Sequence, residues 1–213
     1  MAALYGQLAG LLVILGVIPY VIGILKGKTR PNRATYAIWA VVNVINVSSY
    51  ITVGARTTIW TGLGFAFTAI LILGLSVKHG MGGFSKFEVA CLVLASIAIY
   101  LWVATKSAEI ALFTSYAAIM LGFLPTIKKA YLLPHTENTI SWVMVAIASS
   151  LNLTALSSWA PDIAITPVSN AVFDVIVTAF LLFPTVRLAA VSSWRRPTIR
   201  LSPRIERQAA PLT

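Results

Sequence analysis

The chain has 213 residues, of which 58% are hydrophobic and only 10% are charged, and its formal net charge is +10. Soluble domains contain about 25% charged residues, so too few polar side chains are present here to cover a soluble surface. This composition excludes a sizeable soluble domain and predicts a protein integral to a lipid bilayer. At about 20 residues for each span, the chain has room for roughly seven membrane helices.

Seven apolar runs of spanning length follow one another along the chain, separated by glycine and proline turn signals. No basic segment precedes the first run, so we interpret it as a retained helix and not as a signal peptide. The runs cover residues 4–25, 35–53, 58–77, 87–104, 110–130, 139–157 and 165–186. The sequence therefore predicts an all-α integral membrane fold with seven transmembrane helices.

The basic residues are distributed unevenly between the two sides of this predicted bundle. Fourteen of the 16 Lys and Arg residues fall on one side, and Arg56 and Lys106 fall on the other. Positive charge is retained in the cytoplasm, so we expect the N-terminus outside and the C-terminus inside a plasma or inner membrane. The net positive charge is then a signal of topology, and no nucleic-acid partner is expected.

Two stretches of the chain look like copies of one another. In each, a proline interrupts a predicted helix, a basic loop with a second proline follows, and a tryptophan comes eight residues after that proline. The matching residues are Pro19, Pro31 and Trp39 in the first copy and Pro125, Pro134 and Trp142 in the second. The tryptophans lie 103 residues apart, and this duplication predicts two half-transporters with a site between them.

With seven helices, the duplication divides the chain into four parts. Residues 1–80 form a first three-helix repeat, 81–106 a linker helix, and 107–190 a second three-helix repeat. Residues 191–213 form a basic tail that is predicted to be disordered. Both repeats begin on the outside, so they are expected to be parallel and related by an axis along the membrane normal.

Two three-helix repeats, a linker helix and a proline near the inner end of each first helix resemble the SWEET and PQ-loop transporter superfamily. The nicotinamide riboside transporter family is similar in architecture. The family's Pro-Gln dipeptide is replaced here by Pro19-Tyr20 and Pro125-Thr126. The resemblance implies movement of a small polar solute by alternating access, with hinges at the two prolines.

Polar side chains form a stripe on the second predicted helix. Asn43, Asn46 and Ser49 lie three residues apart and share a face, and a shift of 103 residues gives Ala146, Ser149 and Asn152 on the sixth helix. Amides are costly against lipid, so both stripes are expected to face the interior and line a solute site. The alternative is that these side chains hydrogen-bond neighbouring helices together.

The seventh predicted helix carries Asn170 and Asp174 on one face, near the middle of the membrane. Asp174 is the only acidic residue well inside a predicted span, which makes it a functional candidate. The alternative is a neutral acid that holds helix 7 to a neighbour. Asn170 resembles the SWEET-family asparagine that lines the substrate cavity, and matching the helix ends places Thr61 opposite it.

Trp39 and Trp142 lie about one turn inside the membrane and are expected to form the cytoplasmic floor of the cavity. Most of the other tryptophans fit an interfacial aromatic belt. Pro19 and Pro125 each remove a backbone hydrogen bond, so they are the predicted hinges.

The sequence offers no metal cluster, nucleophilic triad or phosphate loop, so no enzyme activity, cofactor or metal is expected. A small polar solute and the lipid bilayer are the expected partners: the solute is a sugar, a nucleoside-like or vitamin-like compound, or a cationic metabolite. Homo-oligomerisation stays open. The alternative function is a seven-helix sensor or scaffold without transport, although the seventh run lacks the lysine that retinal chemistry needs.

Overall fold

A computed structural model of the chain describes residues 1–54, 56–82 and 85–183. Over these residues the protein is all-helical, and the only extended pairing described is an isolated bridge between Asn32 and Met81. The α helices are α1 Ala2–Leu25, α2 Arg33–Val53, α3 Ile59–His79, α4 Lys86–Thr105, α5 Ala108–Leu132, α6 Thr139–Leu153 and α7 Pro161–Leu182, and a short 3₁₀ helix spans Pro134–Thr136. The predicted all-helical fold is confirmed, and each predicted run coincides with one α helix.

Prolines explain where several helices begin or end. Leu133 precedes Pro134 and Phe183 precedes Pro184, and a residue before proline is disfavoured in the helical conformation. Thus α5 ends at Leu132, and α7 ends at Leu182, four residues before its predicted end. Residues 184–186 and the predicted tail, 191–213, lie outside the described residues.

Asparagine caps start the two helices that follow the basic loops. The Asn32 side chain accepts a hydrogen bond from the Thr35 amide at 3.1 Å, and the Asn138 side chain accepts one from the Ser141 amide at 3.0 Å. Each bond satisfies an amide that has no partner within its helix. The two capping residues are 106 residues apart.

Three helices are long and apolar enough to cross a membrane by length and composition. They are Ala2–Leu25, Ile59–His79 and Ile163–Leu182. Among the other helices of the described chain, α6 has 15 residues, and α2 carries Arg33, Asn43 and Asn46. Membrane association is therefore supported by three helices.

The polarity of the bundle is inverted relative to that of a soluble protein. Large apolar side chains are exposed on every α helix, for example Leu11, Ile51, Phe67, Val93, Phe113, Ile147 and Val172. Polar side chains are buried between the helices, among them Asn43, Asn46, Thr61, Ser149, Asn152 and Asp174. An apolar exterior around a polar interior is the distribution that a surrounding lipid phase requires.

Contacts of α1 show that it runs parallel to α3 and antiparallel to α6. An added Cβ at Gly6 would overlap the Thr57 carbonyl, and one at Gly64 lies 3.2 Å from Val13, so residue numbers rise together along α1 and α3. Towards α6 the order reverses, because Gly16 lies beside Met144 and Gly23 beside Asn138.

The α2·α5 and α6·α7 pairs are also antiparallel. Thr35 Oγ1 donates to the Gly122 carbonyl at 2.9 Å, and Trp39 Nε1 donates to the Ile119 carbonyl at 3.3 Å. Thr178 Oγ1 donates to the Trp142 carbonyl at 3.0 Å, while Ser149 contacts Asp174 further along α6. Consequently α1, α3, α5 and α7 run in one direction, and α2 and α6 run in the other. We refer to the two ends of the bundle as the α1–α2 loop end and the α2–α3 loop end.

Close backbone approach at Gly6 yields the first prediction. Gly6→Ala places a methyl group on the Thr57 carbonyl, so the variant should lose about 1 to 3 kcal/mol and melt several degrees lower. Gly74→Ala is the control, since no atom lies within 4 Å of its added Cβ. Alanine is the better helix former, so Gly74→Ala should melt at or above the wild-type temperature. Equal melting temperatures for the two variants, measured by circular dichroism, would contradict this packing.

Candidate functional site

A cavity of about 70 Å³ lies along the bundle axis between α1, α2, α3, α5, α6 and α7. Six aromatic side chains contribute to its wall, and polar groups are few. The aromatic residues are Tyr20, Tyr36, Trp39, Phe65, Phe123 and Trp142. The polar lining residues include Asn43, Thr68, Ser141, Asn170 and Asp174.

Ring contacts join four of these aromatic residues into a continuous wall. The ring centroids of Tyr20 and Tyr36 are 6.1 Å apart, and those of Tyr36 and Trp39 are 5.4 Å apart with an edge-to-face arrangement. Trp39 and Phe123 follow at 4.5 Å. These contacts connect α1, α2 and α5, so the wall spans elements that are distant in sequence.

Asp174, on α7, is the acidic residue in the lining of the cavity. Only 1% of the residue is exposed, and its carboxylate accepts a hydrogen bond from Ser149 Oγ of α6 at 2.5 Å. Ser149 does not line the cavity, so its hydrogen bond reaches the carboxylate from the side that faces away from the cavity. Asn170, one turn before Asp174 on α7, also lines the cavity.

A second, much smaller cavity of about 10 Å³ lies towards the α2–α3 loop end. Asn43 and Asn170 line both cavities, while Asn46, Thr61 and Asn152 line only the smaller one. This volume holds about one water molecule. Three buried oxygen atoms in its wall have no hydrogen-bond partner in the structure: Asn152 Oδ1, Thr58 Oγ1 and Thr166 Oγ1. The narrow region is thus polar and incompletely satisfied.

At the α1–α2 loop end, a buried carboxylate gathers several donors, which we call the Glu137 cluster: Tyr20, Lys129, Glu137 and Trp142. Tyr20 OH and Trp142 Nε1 donate to Glu137 Oε2 at 3.0 and 2.9 Å, and Lys129 Nζ lies 2.7 Å from Glu137 Oε1. Lys129 also donates to the Arg30 carbonyl. Because Tyr20 and Trp142 line the central cavity, the cluster lies at the end of that cavity.

The two predicted hinge prolines lie inside continuous helices. Pro19 is within α1, and its carbonyl accepts a hydrogen bond from Asn138 Nδ2 at 2.9 Å. Pro125 is within α5, and the next residue, Thr126, donates to Thr35 Oγ1 at 3.0 Å. Pro19 therefore lies where α1 meets the capped start of α6, and Pro125 lies where α5 meets the capped start of α2. Their role as hinges remains a prediction.

The structure brings the predicted site residues to one axis but divides them between two cavities. Trp39, Trp142, Asn170 and Asp174 reach the central cavity. Asn46, Thr61 and Asn152 reach the smaller one, Asn43 reaches both, and Ser149 supports Asp174.

Sequence reasoning missed most of the aromatic wall and the Glu137 cluster. The i, i+3, i+7 spacing of Tyr36, Trp39 and Asn43 was an available signal for a shared helix face. Glu137 gave a weaker signal, as one of only six acidic residues in the chain.

Comparison of the chain with protein-family models, with curated proteins and with solved structures finds no match. The resemblance to the SWEET and PQ-loop superfamily therefore stays a prediction. In the described part of the chain, no group of three or more His, Cys, Asp or Glu residues is placed to hold a metal ion.

The Glu137 cluster generates the second prediction. Glu137→Gln leaves the Lys129 ammonium buried without its counter-charge, so the variant should lose about 3 to 5 kcal/mol of stability. Combining it with Lys129→Met removes the stranded charge, and the double variant should be more stable than the sum of the two single losses predicts. Chemical denaturation of the purified protein measures this coupling. Strictly additive losses would contradict a stabilising ion pair.

Proposed function

We propose that this protein is an integral membrane transporter that moves a small polar solute by alternating access between two three-helix repeats. The observation that carries the proposal is a pair of adjacent cavities that share Asn43 and Asn170 in their walls, inside a helical bundle whose exterior is apolar. A purely structural bundle gains nothing from a cavity at its centre, because unfilled volume reduces packing energy.

Seven spans are supported by the exterior of the bundle. Helices α2, α4, α5 and α6 each expose large apolar side chains, such as Val44, Leu101, Met120 and Ile140. Asn43 and Asn46 of α2 and Ser149 and Asn152 of α6 are buried. Buried polar groups lower the mean hydropathy of a helix without placing a polar side chain in lipid.

Helix pairing supports two parallel repeats. Within the proposed first repeat α1 packs on α3 and α2 on α3, and within the second α5 packs on α7 and α6 on α7. The contact of α1 with α6 has its counterpart in that of α5 with α2. Helix α4 packs chiefly on α5. It takes no part in the matching pairs of the two proposed repeats, as expected of a linker.

Capping favours a shift of 106 residues between the repeats in place of the 103 suggested by the tryptophans. The same shift relates Pro19 to Pro125, Asn32 to Asn138, and Asn46 to Asn152. Asn43 then corresponds to Ser149. Trp39 and Trp142 become neighbours in the cavity that are not equivalent by symmetry.

Orientation follows from the charge distribution and gives the third prediction. The α1–α2 loop end carries the basic loops and is proposed to face the cytoplasm. A reporter fused at Met1 should read external, and one fused after Arg207 should read cytoplasmic, in a protease-protection or alkaline-phosphatase assay. If both reporters lie on the same side, the number of spans is even, and two parallel three-helix repeats joined by one linker helix are excluded.

Alternating access requires that the solute site close towards one side at a time. Asn43 and Asn170 lie at the boundary between the central cavity and the one-water cavity, which makes the latter the narrow passage to the outer side. On the inner side the passage is bounded by the Glu137 cluster. Pro19 and Pro125 lie beside that inner boundary, where bending of α1 and α5 moves it most.

A flux measurement tests the proposal and is the fourth prediction. Protein reconstituted in liposomes should exchange at least one labelled solute from a panel of amines, sugars and nucleosides. Asn170→Leu and Asn152→Leu should each lower that exchange about tenfold or more, equivalent to about 1.4 kcal/mol of lost interaction. Ser96→Leu is the matched control, because Ser96 is exposed on α4 and bonds only the Leu92 carbonyl of its own helix.

Failure of the wild-type protein to exchange any solute, with correct insertion shown by the reporters, would favour the sensor or scaffold alternative. Normal exchange by both asparagine variants would assign those side chains to helix packing and move the solute path elsewhere.

A further inference from the structure

In the part of the chain that the structure describes, the carboxylate of Asp174 has no cationic partner. The one ion pair among these residues joins Lys129 to Glu137. None of the described residues that line the central cavity is Lys, Arg or His, and Asp174 is the only acidic one among them. A buried carboxylate without a counter-charge is costly, so its site favours a positively charged occupant.

Most polar side chains of the cavity are already satisfied by other protein groups. Asn43 Nδ2 donates to the Trp39 carbonyl, Thr68 Oγ1 to the Phe65 carbonyl, and Ser141 Oγ to Asn138 Oδ1. The Tyr20 hydroxyl is engaged by Glu137. A sugar needs many hydrogen bonds to replace its water, and this wall offers few free groups for them.

Aromatic rings supply the rest of the wall, and they attract cations. The face of an aromatic ring is electronegative, and ammonium groups that lose their water bind there with about 2 kcal/mol or more at each favourable contact. Six aromatic residues lining one cavity with a single carboxylate form the combination that recognises quaternary ammonium groups.

The size of the cavity favours a compact ligand. Its volume is about 70 Å³. A nucleoside or a disaccharide exceeds this space. An ammonium head with a few carbon atoms matches it far better.

We propose that the solute is a compact organic cation of the ammonium type, bound between the Asp174 carboxylate and the aromatic wall. The inference rests on the proposed transport function and specifies its substrate class. In this arrangement Ser149 holds the carboxylate in place, the aromatic residues surround the cationic head, and Asn170 contacts the substituent of the head.

Choline and 3,3-dimethyl-1-butanol provide the fifth test, because they share a shape and differ only in whether a charged nitrogen or a neutral carbon stands at the centre. Binding to the purified full chain in lipid nanodiscs is measured by calorimetry or thermal shift. Choline should bind at least tenfold more tightly than the neutral alcohol. In Asp174→Asn this preference should fall to threefold or less.

Two matched controls separate the cavity from the rest of the protein. Glu88→Gln removes a buried carboxylate that bonds Asn32 and lies outside the central cavity, and it should retain the preference for choline. Trp39→Leu removes part of the aromatic wall and should weaken choline binding about fivefold or more. Trp60→Leu removes an exposed tryptophan and should leave binding unchanged.

The wild-type comparison needs no variant, so it decides the inference even if Asp174→Asn fails to fold. Equal affinity for choline and the alcohol, or no binding of either, overturns the assignment of a cation. If a sugar or nucleoside is exchanged in the flux assay while choline is not bound, the transport proposal stands and only the cationic substrate fails. If no solute is exchanged and choline is not bound, the transport proposal and the cationic substrate both fail.

Discussion

The arrangement of this protein depends on one constraint: polar groups in an apolar surrounding must find partners inside the protein. Most of the buried polar side chains that the structure describes therefore lie on α2, α6 and α7 or at a helix start. The asparagine caps, the Ser149–Asp174 bond and the Glu137 cluster are three solutions to that requirement. In the wall of the smaller cavity, some buried polar atoms have no hydrogen-bond partner within the protein.

The sequence predicted the helices well because each lies in an apolar run bounded by turn residues. The positions of Asn43, Asn46, Asn170 and Asp174 on inward faces also followed from helical spacing alone. Boundaries were less predictable at α6 and α7, where the chain leaves the helix at Leu153 and resumes at Pro161. Hydropathy changes gradually there, whereas the turn depends on local backbone geometry.

Contacts between distant parts of the chain were beyond the reach of sequence patterns. Glu137 and Tyr20 are 117 residues apart, and nothing in either segment specifies that the two side chains meet. The aromatic wall has the same origin, since it combines rings from α1, α2 and α5.

The buried ion pair of Lys129 and Glu137 has a consequence for the mechanics of the α1–α2 loop end. Both side chains lose their hydration when this end is closed, and their attraction offsets much of that loss. If the end opens, water returns to the two charges as their contact is broken, so the opposing free energies nearly cancel. A plug of apolar side chains lacks this compensation, because its exposure to water is unfavourable throughout. A charged seal therefore holds a defined closed geometry and still permits a low barrier to rehydration.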